Sequence, residues 1–238
     1  MSDAPAARSP THLPQMTAAL LRALWKERRD SYAEAHLYED VRIRVHRSLT
    51  WMEKAESRGD ADADTALIEW WAAASALFSR VSVVTQQPLA DREASLSFSR
   101  QIIHWDRDGI LAATLRTLAG EATAMWNDPY LTRAFGLGLK AVLTSEQAGG
   151  SETRAPSAAP LAAPPADGAL RLAGILERAG LTVRQLTLGA ASYGGAQNRE
   201  AVARSRRALA ALLPALLQVI TEHGYVDDWG TLCSAPRA

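Results

Sequence analysis

Leu181-Thr-Val-Arg-Gln-Leu-Thr-Leu-Gly189 ends one helical pattern and opens a glycine-rich turn that runs to Gly195. Asn198-Arg-Glu200 follows, then Val202, Leu209, Leu213, Leu216 and Ile220 at helical spacing, and Asp227-Asp-Trp-Gly230 closes the segment. Apolar residues three, four and seven apart mark one face of an α-helix. The stretch therefore reads as helix (about 169–188), turn, helix (about 196–223) and terminal clasp. Pro214 lies inside the second helix, where its missing N–H kinks the axis or removes one hydrogen bond. Arg204, Arg206 and Arg207 point at least partly outward. Trp229 is expected to dock on the bundle, with Gly230 permitting the turn that brings it there.

Working outward, almost every periodic stretch is helical. A short helix over 16–29 is expected to carry Leu20, Leu24 and Trp25 on its apolar side. A second, over 38–58, places Val41, Val45, Leu49, Met52 and Ala55 at steps of four and three. Gly59-Asp60 breaks it, and Asp62 or Asp64 can cap the third, whose stripe is Leu67, Trp71, Ala74 and Phe78. Trp70 and Trp71 point about 100° apart on a helix, so one enters the core and the other reaches a groove or an interface. Further helices are expected over 91–103, 108–121 and 129–143. Val81-Ser-Val-Val84 has strand-like composition but no neighbouring partner, and reads as a loop or helix end.

The expected fold class is all-α: a helical bundle with an N-terminal helical extension and one long disordered Pro/Ala-rich linker. Residues 1–15 are expected to be disordered, 16–144 to form the first part of the bundle, and 169–232 its C-terminal helices, with a tail at 233–238. The linker, 145–168, holds Pro156, Pro160, Pro164 and Pro165 among small residues and lacks the apolar surface to offset its ordering entropy. Acidic and basic residues balance at 26 each, so a nucleic-acid binder of this composition needs a local basic patch. The single cysteine, Cys233, rules out a disulfide framework and a cysteine-rich zinc site. With no signal-peptide core and no apolar run of about 18 residues, a cytoplasmic protein without a membrane span is expected. The P-loop, HExxH, CxxC and GxSxG patterns of common ATPases, zinc enzymes and serine hydrolases are absent from the sequence.

Two blocks resemble a bacterial, Apea-like branch of the HEPN superfamily (higher eukaryotes and prokaryotes nucleotide-binding). One is Arg42-Ile-Arg-Val-His-Arg-Ser-Leu-Thr-Trp51, with Glu53 to Glu56, Asp64 and Leu67-Ile-Glu-Trp-Trp71 through Phe78. The other is the C-terminal segment quoted above. Together they cover about half the chain, and the resemblance implies a HEPN-like helical bundle. Active relatives carry Arg-Asn-Gln, two apolar residues and His-Gly-Gly before the turn, and use the Arg and His to cut RNA. Laid without gaps from Asn198-Arg199, Gln185, Leu186 and Gly189 fall on their counterparts. The Arg position then holds Val183, the Asn position Arg184 and the His position Leu188. Shifting by one residue to recover Arg184 yields no His downstream. Arg42 and His46 belong to the structural pattern of the opening helix.

Metal-independent RNA cleavage needs a group to take the ribose 2′-proton and another to protonate the leaving oxygen, and His suits both. Arg stabilises the phosphorane charge with its planar fork. Losing the acid–base help costs about 10²- to 10⁴-fold, roughly 3 to 5 kcal/mol of barrier. Leu188 moves no proton at any pH. The resemblance therefore implies a non-catalytic binding or regulatory protein, a partner in a bacterial anti-phage defence or toxin–antitoxin system. A homodimer or a complex with an operon-encoded protein is expected, RNA or a nucleotide is a candidate ligand, and no cofactor or metal is called for. Arg184, Gln185, Tyr193, Asn198 and Arg199 are the candidate RNA- or partner-binding residues. The alternative is an endoribonuclease with a non-standard site around Arg184, using Tyr193 or a distant His.

Arg184, Arg199, Arg204, Arg206 and Arg207 form either a phosphate strip or a solvated face paired with Glu177, Glu200 and neighbours, and the balanced charge favours the face. Arg178 is expected to make a structural contact in the bundle. His46 is expected to be buried or half-buried, His104 and His223 to stand alone, and Glu69 to pair with an Arg of the first block or face water.

Overall fold

The computed structural model describes residues 16–31, 38–59, 61–131, 163–196, 198–225 and 227–233. Among them are eight α-helices and no strand, as the all-α reading expects. They are α1 (Ala18–Asp30), α2 (Glu39–Arg58), α3 (Ala63–Phe78), α4 (Asp91–Trp105), α5 (Ile110–Thr117), α6 (Ala119–Asn127), α7 (Gly168–Thr187) and α8 (Arg199–Val219). A 3-10 turn at Pro129–Leu131 follows α6, and a π turn at Ile220–Gly224 extends α8. Residues 132–162 lie outside the described set, so most of the 145–168 linker and of the 129–143 helix lies there too.

Short polar side chains fix the helix starts. Asp62 accepts the Thr65 N–H at 3.0 Å and caps α3, Asp106 takes Leu111 N–H at 3.0 Å and Ala112 N–H at 2.7 Å, and Asp167 takes Leu170 N–H at 2.8 Å. At α1 the work is shared across the bundle, because both Glu56 carboxylate oxygens accept from Ala18 N–H, at 3.1 and 3.2 Å. Burial pushes the Glu56 carboxyl above its ordinary range.

α2 and α3 form a long hairpin, and α8 runs through the bundle against α3, α5, α6 and α7. α4 pairs with α7 in the opposite direction: Ile103 packs against Gly168, and Arg92 meets Glu177 at 3.6 Å. The buried stripes of α2 and α8 follow the sequence pattern, with Val41, Val45, Leu49, Met52, Ala55, Val202, Leu209, Leu213, Leu216 and Ile220 all in the core. Three expectations need correction. In α1 the buried residues are Ala18, Leu21 and Trp25, while Leu20 is 53% exposed, a register error that short helices invite. The expected helix over 108–121 is two, α5 and α6, meeting at Leu118. His46 is exposed, because its helix buries Val45 and Leu49 on the other side.

Glycines on α7 let two indoles approach the backbone. A Cβ at Gly174 would lie 2.2 Å from Trp126, and one at Gly180 would lie 2.8 Å from Trp71. Trp70 is the indole that enters the core, and Trp71 packs half-buried on α7. Arg178, beside Gly174, stacks on Trp126, its guanidinium carbon 3.6 Å from the ring centroid.

The C-terminal clasp forms as expected. Trp229 is buried against Phe98 and donates from its indole N–H to Gly224 O at 2.7 Å, and Gly230 takes a φ of 77°. Asp227 accepts from Gln101 at 2.7 Å and from the Trp105 indole at 2.5 Å. From the other side Arg44, 2% exposed, donates to Leu77 O (3.2 Å), Ser79 O (2.7 Å), Trp229 O (3.3 Å) and Gly230 O (2.8 Å). Burial pulls its pKa down to about 10, and it stays protonated at neutral pH.

Arg44→Met removes every donor from these carbonyls while keeping much of the side-chain volume. It should lower unfolding stability by about 3 kcal/mol or more in urea titration, since several buried acceptors lose their partners at once. A change below about 1 kcal/mol would show that water replaces the guanidinium there.

Candidate functional site

The end of α7 and the start of α8 are held together by polar side chains that the fold has already committed. Gln185 donates from Nε2 to Tyr130 O at 2.7 Å and accepts from Asn198 Nδ2 at 2.9 Å. Its backbone carbonyl takes the N–H groups of Ala190 and Ala191, at 2.8 and 3.2 Å, which starts the turn. Asn198 has a left-handed backbone (φ 51°), and its carbonyl accepts the first α8 bond from Val202 at 3.0 Å. Asp64, reaching over from α3, accepts the Gly194 N–H at 2.8 Å and Arg199 Nη1 at 2.5 Å. Thr182 and Ser205 hydroxyls, 3.2 Å apart, join the two helices below.

The sequence candidates divide between this framework and the surface. Val183, at the Arg position, is buried in the core. Gln185 and Asn198 are buried in the network, and Arg199 is tied to Asp64. Arg184 and Leu188 lie one helical turn apart and face outward, and Leu188, at the His position, is 73% exposed. Tyr193 is 74% exposed. The Asp62 carboxylate raises the pKa of its phenol above the ordinary value of 10.0 and takes it further from acting as a base. Asp62 itself is held below its usual carboxyl range, chiefly by its hydrogen bonds from Thr65.

The arginines behave as a paired face. Arg204 meets Asp128 at 3.2 Å and Glu200 at 3.4 Å, Arg207 meets Glu121 at 2.8 Å and Glu200 at 3.3 Å, and Arg206 donates to Gly59 O at 3.2 Å. Glu177 pairs with Arg92. Arg184 is exposed and enters no ion pair among the described residues. Glu69 is bound by Arg58, within the span of the first block, at 2.6 and 2.8 Å.

The described histidines sit elsewhere. His104 ends α4, where that helix meets Gly168, and a rise of 1.5 Å per residue puts Arg184 about 24 Å from there. His223, expected to stand alone, pairs with Asp108 at 2.6 Å. His46 lies between α1 and α2. His12 and His36 are outside the described residues.

A concavity of about 480 Å³ runs between α1 and α2, and the sequence alone does not show it. Arg22, Lys26 and Arg29 line it from α1, and Arg42, His46 and Arg47 from α2, with Trp25 and Ile43 as its apolar wall. The spacing of four and three on α1 is a visible signal for one cationic face. Its pairing with the basic face of α2 is not visible without the fold.

Among the described residues no helix is long and apolar enough to cross a membrane, and no group of three or more His, Cys, Asp or Glu is placed to hold a metal. The fold defines an all-α helical bundle. The chain matches no family profile, no curated protein and no solved structure.

Gln185→Ala and Asn198→Ala should each lower stability by about 1 to 3 kcal/mol, because each strands a buried partner. Leu188→Ala should stay within about 0.5 kcal/mol. Thermal and urea unfolding of the three variants check the division between framework and surface.

Proposed function

We propose that this chain is a non-catalytic, HEPN-like binding protein, a cytoplasmic regulatory partner in a bacterial defence or toxin–antitoxin system. The observation that carries the reading is the surface made by Arg184, Leu188 and Tyr193 at the α7–α8 turn. An aliphatic side chain stands exposed at the place where the resemblance calls for the proton-transferring imidazole. The neighbouring polar groups, Gln185, Asn198 and Arg199, are engaged in holding the turn. Tyr193 is biased toward its protonated form, so it offers no replacement base at neutral pH.

An exposed Leu and Tyr beside one cation suit a protein contact, where aromatic and arginine side chains are enriched. The partner is a second copy of the chain or an operon-encoded protein. The face that leads from this turn along α8 carries arginines already matched by carboxylates, which supports a protein partner over a phosphate backbone.

Purified full-length protein incubated with structured and single-stranded RNA should give no cleavage above the buffer control, with or without Arg184→Ala. Cleavage that disappears in Arg184→Ala would replace this reading with that of an endoribonuclease built around Arg184.

A further inference from the structure

Leu181, Arg184 and Leu188 follow one another at steps of three and four near the end of α7, so they share one face over about 10 Å. Leu181 is half-buried, and Arg184 and Leu188 are exposed. Tyr193 projects from the turn that follows, next to Gly194, whose N–H is fixed to Asp64 at 2.8 Å. A side chain mounted on a held backbone loses little freedom when a partner arrives.

The carboxylates at this end of the bundle already have cations. Asp62 takes the Thr65 N–H at 3.0 Å and lies 3.8 Å from Arg58, whose other carboxylate is Glu69 at 2.6 Å. Asp64 holds Arg199 at 2.5 Å, and Glu177 meets Arg92 at 3.6 Å. Glu200 meets Arg204 at 3.4 Å and Arg207 at 3.3 Å. Arg184 enters no ion pair among the described residues, and the Arg199 nitrogens left without a partner there, Nε and Nη2, are buried. Among the described residues the face therefore offers a cation without an acid to match it.

We infer that this face takes a different chain, an amphipathic helix that brings a carboxylate to Arg184 and aliphatic side chains to Leu181 and Leu188. The inference rests on the reading of the α7–α8 turn as a protein-binding surface and chooses between the two partners named there. A two-fold contact uses the same patch from both copies, so the patch must be complementary to itself. Two copies meeting here bring Arg184 toward Arg184, and neither supplies a counter-charge. A carboxylate from another chain forms a forked, charge-assisted pair with the same guanidinium. A ridge at positions i, i+3 and i+7 fits the apolar face of a docking helix. Tyrosine and arginine are also the side chains on which interface energy concentrates. A nucleic-acid strand would lay several phosphates here against a single unmatched cation.

Two synthetic helical peptides test the assignment on the full chain: one has leucines along one face flanked by glutamates, and its twin has lysines in place of the glutamates. Followed by NMR amide shifts, the glutamate peptide should move Leu188 and Tyr193 and bind at least about tenfold tighter than the lysine twin. Arg184→Ala should remove that difference, and Leu188→Asp should weaken both peptides while circular dichroism stays unchanged. The sedimentation velocity of the chain at high micromolar concentration should be the same with and without Leu188→Asp. A dimer that Leu188→Asp dissociates would overturn the inference and leave the protein-binding reading standing, whereas RNA cleavage that depends on Arg184 would remove that reading itself. Equal affinity for the two peptides, no binding of either, or tighter binding of a short single-stranded RNA at the same amides would also overturn it.

Discussion

A guanidinium taken out of water needs its N–H groups met, and Arg44 is met by carbonyls from two segments far apart in sequence. The end of α3 supplies Leu77 and Ser79, and the terminal clasp supplies Trp229 and Gly230. Desolvating the charge is costly, as its lowered pKa records, so the geometry of all three partners is tightly coupled. The clasp in turn reaches α4 through Asp227, and Trp229 fills the space beside Gly224. One side chain thus sets where α2 lies relative to the rest of the bundle, and α2 forms one wall of the basic groove.

The same economy governs the α7–α8 end. Asp64 joins the turn and α8 to α3, and Gln185 with Asn198 joins them to the chain at Tyr130. These are polar groups of kinds that catalyse in other settings, but here Asp64 and Gln185 spend their side-chain bonds on the framework. Asn198 Oδ1 and Arg199 Nε and Nη2 are buried without a hydrogen-bond partner among the described residues. What remains at the surface is Arg184, Leu188 and Tyr193, a composition suited to contact. The basic side chains of α1 and α2 line a separate groove.

Much of the helical architecture is legible in the sequence because burial follows period. The stripes of α2 and α8 are long enough for a one-residue slip to expose several large side chains. α1 is too short for that safeguard, which explains the exchange of Leu20 for Leu21. The break at Leu118 has no proline and only Gly120, inside the first turn of α6, beside it, so α5 and α6 read as one helix. The clasp was readable from Trp229 and Gly230, since an apolar ring beside a flexible residue has few places to go. Buried charge was not readable. Arg44 and Asp64 look like surface residues until partners separated in sequence arrive, and the pairing of Asp64 with Arg199 depends on the whole fold. At the candidate site Asn198 bonds to Gln185 and Arg199 to Asp64, partnerships that the residue types alone do not reveal.

The amide proton of Gly194 tests most directly whether the α7–α8 turn is held as framework. It lies at an exposed residue, yet it is bonded to a carboxylate that the bundle buries. Hydrogen exchange followed by NMR should show this proton protected by at least about a hundredfold, nearly 3 kcal/mol of opening free energy, and the protection should vanish in Asp64→Ala. Exchange at the unprotected rate in the unaltered chain would contradict the account, because the turn would then be free to rearrange around a ligand.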